Sequence, residues 1–290
     1  MVVPVLRTTE DVRKTVDEWR SSGKTIGFVP TMGALHSGHL SLVSRAFDYA
    51  DSVIVSIFVN PIQFGPDEDF ESYPRTIRDD LEKLEKAGAN AVFYPDKDII
   101  YPEGFSTSVH VSNLTDTLCG KQRPGHFNGV ATVCAILFGI VQPDIAVFGR
   151  KDAQQLAVIK RMVLDLRFDI RIIGADIYRE RDGLAMSSRN RYLRPIERTQ
   201  ATALFRGLSR AAELVCQGER DTALLCQTAR RIIEESPLAV IQYMEIVDHD
   251  TMKPVERLDS PGLLAVAVYF GKTRLIDNIV LDPDVSYKEA

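Results

Sequence analysis

The chain has 290 residues, of which 45% are hydrophobic and 26% charged, values typical of a soluble globular enzyme with one large or two ordinary domains. Its net charge of −5 and its lack of a long basic run argue against a nucleic-acid partner. No run of about 18 apolar residues predicts a membrane span, so we expect no membrane contact.

The N-terminus and the cysteines indicate a cytoplasmic protein. Charge follows the first apolar residues too soon for a signal peptide. The four cysteines form no Cys-x-x-Cys pair, and no histidine lies at zinc-finger spacing. We therefore expect reduced thiols, with Cys134 buried in an apolar helix as a small hydrophobe.

The first part of the chain alternates between helical and strand-like segments. The predicted helices are 11–21, 40–50, 77–87, 130–141 and 153–166, and the predicted strands are 25–29, 52–59, 91–94, 145–148 and 170–173. This alternation predicts an α/β fold with a Rossmann-like, doubly wound parallel sheet over residues 1–177.

The order of elements changes after residue 177. The pattern predicts helices over 198–217 and 221–235 and strands over 240–247, 263–269 and 278–281. We therefore expect a smaller α+β domain over residues 178–290. The acidic and aromatic segment 64–74 is either a solvated loop or a mobile flap beside a site.

Two histidines, His36 and His39, follow the predicted strand 25–29, with glycines at Gly33 and Gly38. The free amides of a helix N-terminus and the close approach that glycine permits both suit a nucleotide phosphate. The imidazoles could donate hydrogen bonds to phosphate oxygens. Turn glycines beside two surface histidines are the alternative, but the position at the first strand–helix junction favours a phosphate site.

Polar side chains also surround two later segments. Asn60 and Gln63 follow strand 52–59, where amides could bind a substrate with hydroxyls and a carboxylate, although Asn-Pro could simply form a turn. Arg123 could grip a carboxylate or a phosphate with two hydrogen bonds. His126 could be structural or catalytic, and its turn-rich context favours the structural role.

Two segments carry residues suited to phosphates. Lys151 follows a strand and could bind phosphate or be solvated, and Asp152 could cap helix 153–166 or face a ribose hydroxyl. The run Ser187–Arg189 offers hydroxyls, amides and a guanidinium near the predicted domain boundary, where ligand clefts are common. The sequence has no P-loop and no zinc motif, which favours adenylyl transfer over γ-phosphoryl transfer.

Five ordered blocks resemble the pantoate–β-alanine ligase family. They are PTMGALHSGHLSL, FVNPIQF, RPGHFNGVATV, FGRKDAQQL and RDGLAMSSRNRYL, and the later GKTRLIDNI is similar to the family's C-terminal strand region. The first block also resembles the His-x-Gly-His signature of a nucleotidyl-transferring superfamily that includes class I aminoacyl-tRNA synthetases. The resemblance implies that ATP converts pantoate into pantoyl adenylate with release of pyrophosphate. The amine of β-alanine then displaces AMP and forms pantothenate.

The resemblance also implies roles for individual residues. His36, His39 and Lys151 would be catalytic, acting on the phosphates of ATP. The ATP-binding residues would be Met32, Gly149, Lys151, Asp152, Ser187, Ser188 and Arg189, and the pantoate-binding residues would be Gln63 and Gln155, with Asn60 and Arg123 as further candidates. Asp79 and Asp80 resemble acidic residues near the pyrophosphate and Mg²⁺, although a helix from Ile77 would carry surface acids anyway. Family members are similar in being homodimers.

Two other functions remain open at this point. A nucleotidyltransferase of the same superfamily would stop at an adenylated product, whereas a ligase would release AMP and an amide. A non-catalytic nucleotide-binding module would be expected to lack His36, His39 or Lys151, and all three are present. Arg150 and Ile136 depart from the family pattern, but we expect neither to contact the reacting groups.

Overall fold

The computed structural model describes residues 3–66 and 68–284. Its larger sheet has six parallel strands in the order β1-β4-β3-β2-β5-β6. The strands are β1 (Val5–Leu6), β2 (Ile26–Thr31), β3 (Ser52–Ile57), β4 (Ala91–Phe93), β5 (Ile145–Gly149) and β6 (Arg171–Ala175). The doubly wound α/β prediction is confirmed. The strand order reverses between β2 and β5, and ligands of such sheets bind at the carboxyl ends of strands beside this reversal.

The chain divides into two compact units, which are not continuous in sequence. The first takes the described residues up to Ser112, then Arg123–Arg150 and Gln155–Asp176. The second takes Asn113–Gln122, Lys151–Gln154 and the described residues from Ile177 onward. The predicted single boundary after residue 177 differs from this division, because residues 113–122 and 151–154 precede it and belong to the second unit. Lys151 and Asp152 therefore belong to the same unit as Ser187–Arg189.

Helices cover both faces of the six-stranded sheet. The helices of the first unit are α1 (Thr9–Ser21), α2 (Ser37–Phe47), α3 (Ile77–Lys86), α4 (Lys97–Ile100), α6 (His126–Val141) and α7 (Ala153–Asp165), while α5 (Leu118–Gln122) belongs to the second. Leu42 of α2 and Leu84 of α3 join the buried cluster of Val29 and Val55 on one face. Phe138 of α6 meets Phe28 edge-on, with ring centroids 6.3 Å apart, on the other.

The apolar helix α6 explains the behaviour of one thiol. Cys134 lies buried within it, and burial raises the pKa of this thiol to about 12, so it stays a protonated hydrophobe as expected. Among the residues described here, no helix is long and apolar enough to cross a membrane. Apart from residue 67, which lies outside the described residues, segment 64–74 packs Phe64 against Phe70 and Tyr73.

Helices α2 and α6 begin about one helical turn earlier than the sequence pattern predicts. Helix α2 begins at Ser37 instead of residue 40 and ends at Phe47, and α6 begins at His126 instead of residue 130. Glycine and histidine have low helix propensity, so the apolar spacing marks only the later turns. As a result, His36 becomes the N-cap of α2 and His39 lies in its first turn.

The second unit pairs an antiparallel sheet with helices. Its strands are β7 (Ala239–Asp248), β8 (Gly262–Phe270) and β9 (Thr273–Leu281), and its longer helices are α9 (Ala203–Cys216) and α10 (Thr222–Glu234), preceded by α8 (Pro195–Gln200). Leu208 of α9 and Leu225 of α10 share one buried cluster with Leu264 and Val266 of β8. The α+β order predicted here is present.

Two predicted elements of this unit need correction. Helix 198–217 is two helices, because the hydroxyl of Thr202 bonds the carbonyl of Thr199 at 2.8 Å and competes with the backbone ladder. Strand β9 begins at Thr273 instead of residue 278. The charged residues Arg274 and Asp277 interrupt the apolar run by which a strand is predicted. Their hydrogen-bond partners, Gln242 and Arg179, are distant in the sequence.

Candidate active site

The candidate site of the first unit lies at the carboxyl ends of three parallel strands. Met32–His36 follow β2, Phe58–Gln63 follow β3, and Gly149 is the last residue of β5. Because β3, β2 and β5 are neighbours in that order, these segments meet at one edge of the sheet. This edge includes the reversal point, where a nucleotide is expected.

A left-handed turn shapes the loop after β2. Gly33 and Ala34 have φ values of +79° and +51°, and the second is unusual for a residue with a side chain. The hydroxyl of Thr31 accepts a hydrogen bond from the amide of Gly33 at 3.1 Å. The loop therefore needs support from elsewhere to hold Ala34 in this conformation.

That support comes from Asp80 on α3, which is fully buried. Its two carboxylate oxygens accept the amides of Ala34 at 2.9 Å and Leu35 at 2.8 Å. The hydroxyl of Thr76 donates to the same carboxylate at 3.2 Å, and Lys83 Nζ donates to the carbonyl of Leu35 at 2.8 Å. This use of both oxygens is at odds with the prediction that Asp80 lies at a metal ion.

The two histidines form a stacked pair at the start of α2. Their ring centroids are 4.0 Å apart and their planes differ by 31°. The amide of His36 donates a long hydrogen bond of 3.4 Å to His39 Nδ1. Because Nδ1 accepts, the proton of a neutral His39 lies on Nε2.

Asn60 orients Gln63 from a buried position. Asn60 is 1% exposed, and its Oδ1 accepts a 2.7 Å hydrogen bond from the hydroxyl of Tyr101. Its Nδ2 donates to Gln63 Oε1 at 2.9 Å and to the carbonyl of Gly129 at 3.1 Å. Gln63 Nε2 then lies 3.1 Å from Met32 Sδ. Asn60 is thus a support for Gln63, at odds with a direct contact with pantoate.

Arg123 is committed to an acidic partner within the first unit. Its Nε and Nη2 donate to the two carboxylate oxygens of Glu68, each at 2.5 Å. Burial raises the pKa of Glu68, but the hydrogen bonds and charge of Arg123 outweigh it and hold the pKa below its ordinary value. A guanidinium used in this way is at odds with the prediction that Arg123 grips a substrate carboxylate.

In the second unit, Lys151 lies in a short 3-10 turn, Arg150–Asp152, that leads into α7. Asp152 is within this turn and half-exposed. Asn278 Nδ2 of β9 donates to the carbonyl of Lys151 at 2.8 Å. The Lys151 side chain is 19% exposed, with Nζ 3.7 Å from Asp152 Oδ2.

Gln154 ties the same segment to residues 113–122 of the second unit. Its Nε2 donates to the carbonyls of Leu114 and Thr117, each at 2.9 Å, and its Oε1 accepts the amide of Gly120 at 3.3 Å. The side chain is buried, with 6% exposure. These bonds account for the discontinuity of the two units at Lys151–Gln154.

The serine–arginine segment forms a second tight turn of this unit. Ser187 caps the 3-10 turn Ser188–Tyr192 by accepting the amide of Arg189 at 3.3 Å. Asn190 Nδ2 fixes the turn through Glu180 Oε1 at 2.9 Å and the carbonyl of Ala185 at 3.1 Å. Ser188 is buried, while Ser187 and Arg189 are partly exposed.

Sequence reasoning missed a buried ion pair that supports this unit. Arg179 donates to both oxygens of Asp277, at 2.7 and 3.0 Å, and to the carbonyl of Gly183 at 3.0 Å. Asp277 is adjacent to Asn278, which holds Lys151. The block GKTRLIDNI contains both residues, but only the fold brings their partners within reach.

Three predicted residues have simpler surroundings. Gln155 is partly buried in the first turn of α7, Gly149 ends β5, and Asp79 is exposed on α3. Within residues 3–66 and 68–284, no group of three or more histidine, cysteine or acidic side chains could hold a metal ion.

Comparisons with known proteins agree on one family. The family model described as pantoate-beta-alanine ligase matches residues 4–280. A pantothenate synthetase of Clostridium novyi (strain NT) is 53% identical over 275 residues, which is 95% of this chain and 97% of that protein.

Two solved structures carry the same similarity. The crystal structure of pantothenate synthetase from Thermus thermophilus is 42% identical, with a TM-score of 0.91 over 96% of this chain and 99% of that one. The pantoate-beta-alanine ligase of Francisella tularensis, solved with beta-gamma ATP and beta-alanine, is 31% identical, with a TM-score of 0.78 over 98% of this chain and 99% of that one.

Proposed function

The chain belongs to the pantoate–β-alanine ligase family, and we propose that its ATP-dependent joining of pantoate to β-alanine passes through pantoyl adenylate. In the first step a carboxylate oxygen of pantoate attacks the α-phosphorus of ATP, and pyrophosphate leaves. In the second step the neutral amine of β-alanine attacks the acyl carbon, AMP leaves, and the amine loses a proton. Neither step needs a covalent bond to the protein, so catalysis rests on positioning and charge stabilisation.

The histidine pair at the reversal point of the sheet is the observation that carries this proposal. His39 lies in the first turn of α2, where the helix dipole favours an anion. We assign His36 and His39 to phosphate oxygens whose charge grows as pyrophosphate leaves. Asp80 acts indirectly, because it holds the loop that leads to His36.

Four further residues are assigned to the phosphates of ATP, as the family resemblance implies. Lys151 and Arg189 carry the charge that the leaving pyrophosphate needs, and Ser187 and Ser188 add hydroxyl or amide donors. Lys151 has its backbone fixed by Asn278, which supports a defined position for the ammonium. Around the nucleotide itself we assign Met32, Gly149 and Asp152.

Pantoate is assigned to Gln63 and Gln155, whose amides offer a donor and an acceptor each. Asn60 fixes Gln63 Oε1 with a 2.9 Å hydrogen bond, which supports a preset orientation of the Gln63 amide. Mg²⁺ is proposed to accompany ATP and to neutralise phosphate charge, with phosphates and water as its ligands. A homodimer and a cytoplasmic location are further proposals from the family, and sedimentation velocity would test the first.

An isotope experiment tests the adenylate. The protein is incubated with ATP, Mg²⁺, β-alanine and pantoate labelled with ¹⁸O in its carboxylate, and the products are analysed by mass spectrometry. We expect pantothenate and AMP carrying one ¹⁸O, because the attacking oxygen stays on the α-phosphate. Label in inorganic phosphate with formation of ADP would contradict the proposal, and a stable pantoyl nucleotide with no amide would favour a nucleotidyltransferase.

A further inference from the structure

The backbone carbonyl of Gln63 is held by a cluster of three side chains, Glu68, Arg123 and His126. The carbonyl of Gln63 lies 2.8 Å from His126 Nδ1 and 3.4 Å from Arg123 Nη2. Arg123 Nη1 lies 3.0 Å from His126 Nε2. The three side chains therefore form a continuous set of hydrogen bonds that ends on the backbone of Gln63.

The partners of His126 fix its protonation. A carbonyl oxygen only accepts, so His126 Nδ1 must carry a proton. A guanidinium only donates, so His126 Nε2 must be the bare acceptor. The arrangement thus requires a neutral His126 with its proton on Nδ1. Glu68 completes it, because its two 2.5 Å hydrogen bonds fix the plane of the Arg123 guanidinium.

Helix α6 also packs closely against the backbone of Gln63. A Cβ atom added to Gly129 would lie 2.6 Å from the carbonyl oxygen of Ile62 and 2.7 Å from Gln63 Cα. Only glycine permits this approach. The carbonyl of Gly129 in turn accepts from Asn60 Nδ2 at 3.1 Å. Backbone and side chain of Gln63 are therefore set by the same few elements.

We propose that His126, oriented by Arg123 and Glu68, is a positioning residue that sets Gln63 for pantoate without itself contacting a substrate. The inference rests on the proposed role of Gln63. It follows from the geometry, because both ring nitrogens of His126 have partners within the protein. It also gives the RPGHFNG block a purpose, since Arg123, His126 and Gly129 all act on the turn that carries Gln63.

A double-mutant cycle tests the proposal. His126→Ala removes both hydrogen bonds, and we expect the KM for pantoate to rise about tenfold, as for one lost buried hydrogen bond. The KM values for ATP and β-alanine should change by less than about twofold, because the change acts only through Gln63. His126→Asn, which keeps a donor near the position of Nδ1, should recover part of the loss. In the Gln63→Ala background, His126→Ala should add almost nothing.

The outcomes separate the inference from the function on which it rests. If Gln63→Ala leaves the KM for pantoate unchanged, the proposed role of Gln63 fails and the inference fails with it. If Gln63→Ala raises that KM and His126→Ala multiplies it again by its full factor, only the inference is overturned. An equal rise in all three KM values for His126→Ala, with no recovery in His126→Asn, would indicate a merely structural residue and overturn it too.

Discussion

Two acidic side chains of the first unit hold two loops of its candidate site by different interactions. Asp80 is fully buried and accepts hydrogen bonds from two amides and a hydroxyl, all neutral donors. Glu68 is 27% exposed in its side chain and binds the charged Arg123. The loop of the histidines therefore depends on hydrogen bonds shielded from solvent, whereas the loop of Gln63 depends partly on an ion pair that water and salt weaken.

The difference has a consequence for what each loop tolerates. Removing an acceptor from Asp80 leaves buried amides unsatisfied and releases the left-handed Ala34, so the loop itself should move. Weakening the Glu68–Arg123 pair leaves Gln63 still held by Asn60 and by helix α6. A single substitution at Asp80 should thus displace the histidine loop, whereas loss of the Glu68–Arg123 pair should shift the Gln63 loop only slightly.

The largest effect is expected at the reacting end of the first loop. His39→Ala should lower adenylate formation by about 10² to 10³-fold, the usual loss for one positioned donor at developing charge. The fold should persist, because the side chain is partly exposed. Single-turnover release of pyrophosphate measures the rate, and circular dichroism checks the fold. Near-normal turnover would remove His39 from the mechanism.

Asp80→Asn should come next, with a loss of about 100-fold in the same step through misplacement of the loop. The amide replaces one acceptor by a donor that faces a backbone N–H, so the free energy of unfolding should fall by about 1–3 kcal/mol. Glu82→Gln is the matched control, since Glu82 lies on the same helix with its side chain exposed. If high Mg²⁺ concentrations restored the rate of adenylate formation in a variant of normal stability, Asp80 would be a metal ligand instead.

Glu68→Gln should have the smallest effect and should depend on pH. Because Arg123 lowers the pKa of Glu68 in the folded protein, the pair contributes stability above the unfolded pKa, and this is lost as pH falls through the folded pKa. The variant should therefore be less stable than the parent near neutral pH by about 0.5–1 kcal/mol, after allowing for solvent screening. Urea unfolding at several pH values should show this difference vanishing in acid, and a constant difference would contradict the ion-pair account.

The sequence predicts the sheet well because its strands are buried on both faces. Near-continuous apolar runs such as Ser52–Ile57 have few alternatives, and the histidines follow directly from one of them. The sequence pattern places the starts of α2 and α6 too late. The first turns of these helices contain glycine and histidine, and capping and tertiary contacts stabilise them.

The support of the site could not be predicted from the sequence for a physical reason. Asp80 contacts amides some 46 positions earlier in the chain, and Arg123 contacts Glu68 across 55 positions. The family resemblance places Asp80 near a metal, and the local sequence cannot distinguish this role from that of a buried anchor, because both fit an acid on an amphipathic helix. Arg123 and Asn60 were assigned to pantoate for the same reason, since only the fold reveals partners that already use their polar groups.

The central claim is that the groups at the phosphates serve the formation of the adenylate. It is tested most directly with Lys151→Ala, by comparing single-turnover formation of pantothenate from preformed pantoyl adenylate with formation from ATP. The lysine is assigned to phosphates that leave with pyrophosphate, so little charge remains for it in the second step. We predict a large loss from ATP and nearly normal formation from the adenylate. Equal losses in both reactions would contradict the account, because Lys151 would then serve acyl transfer or the fold.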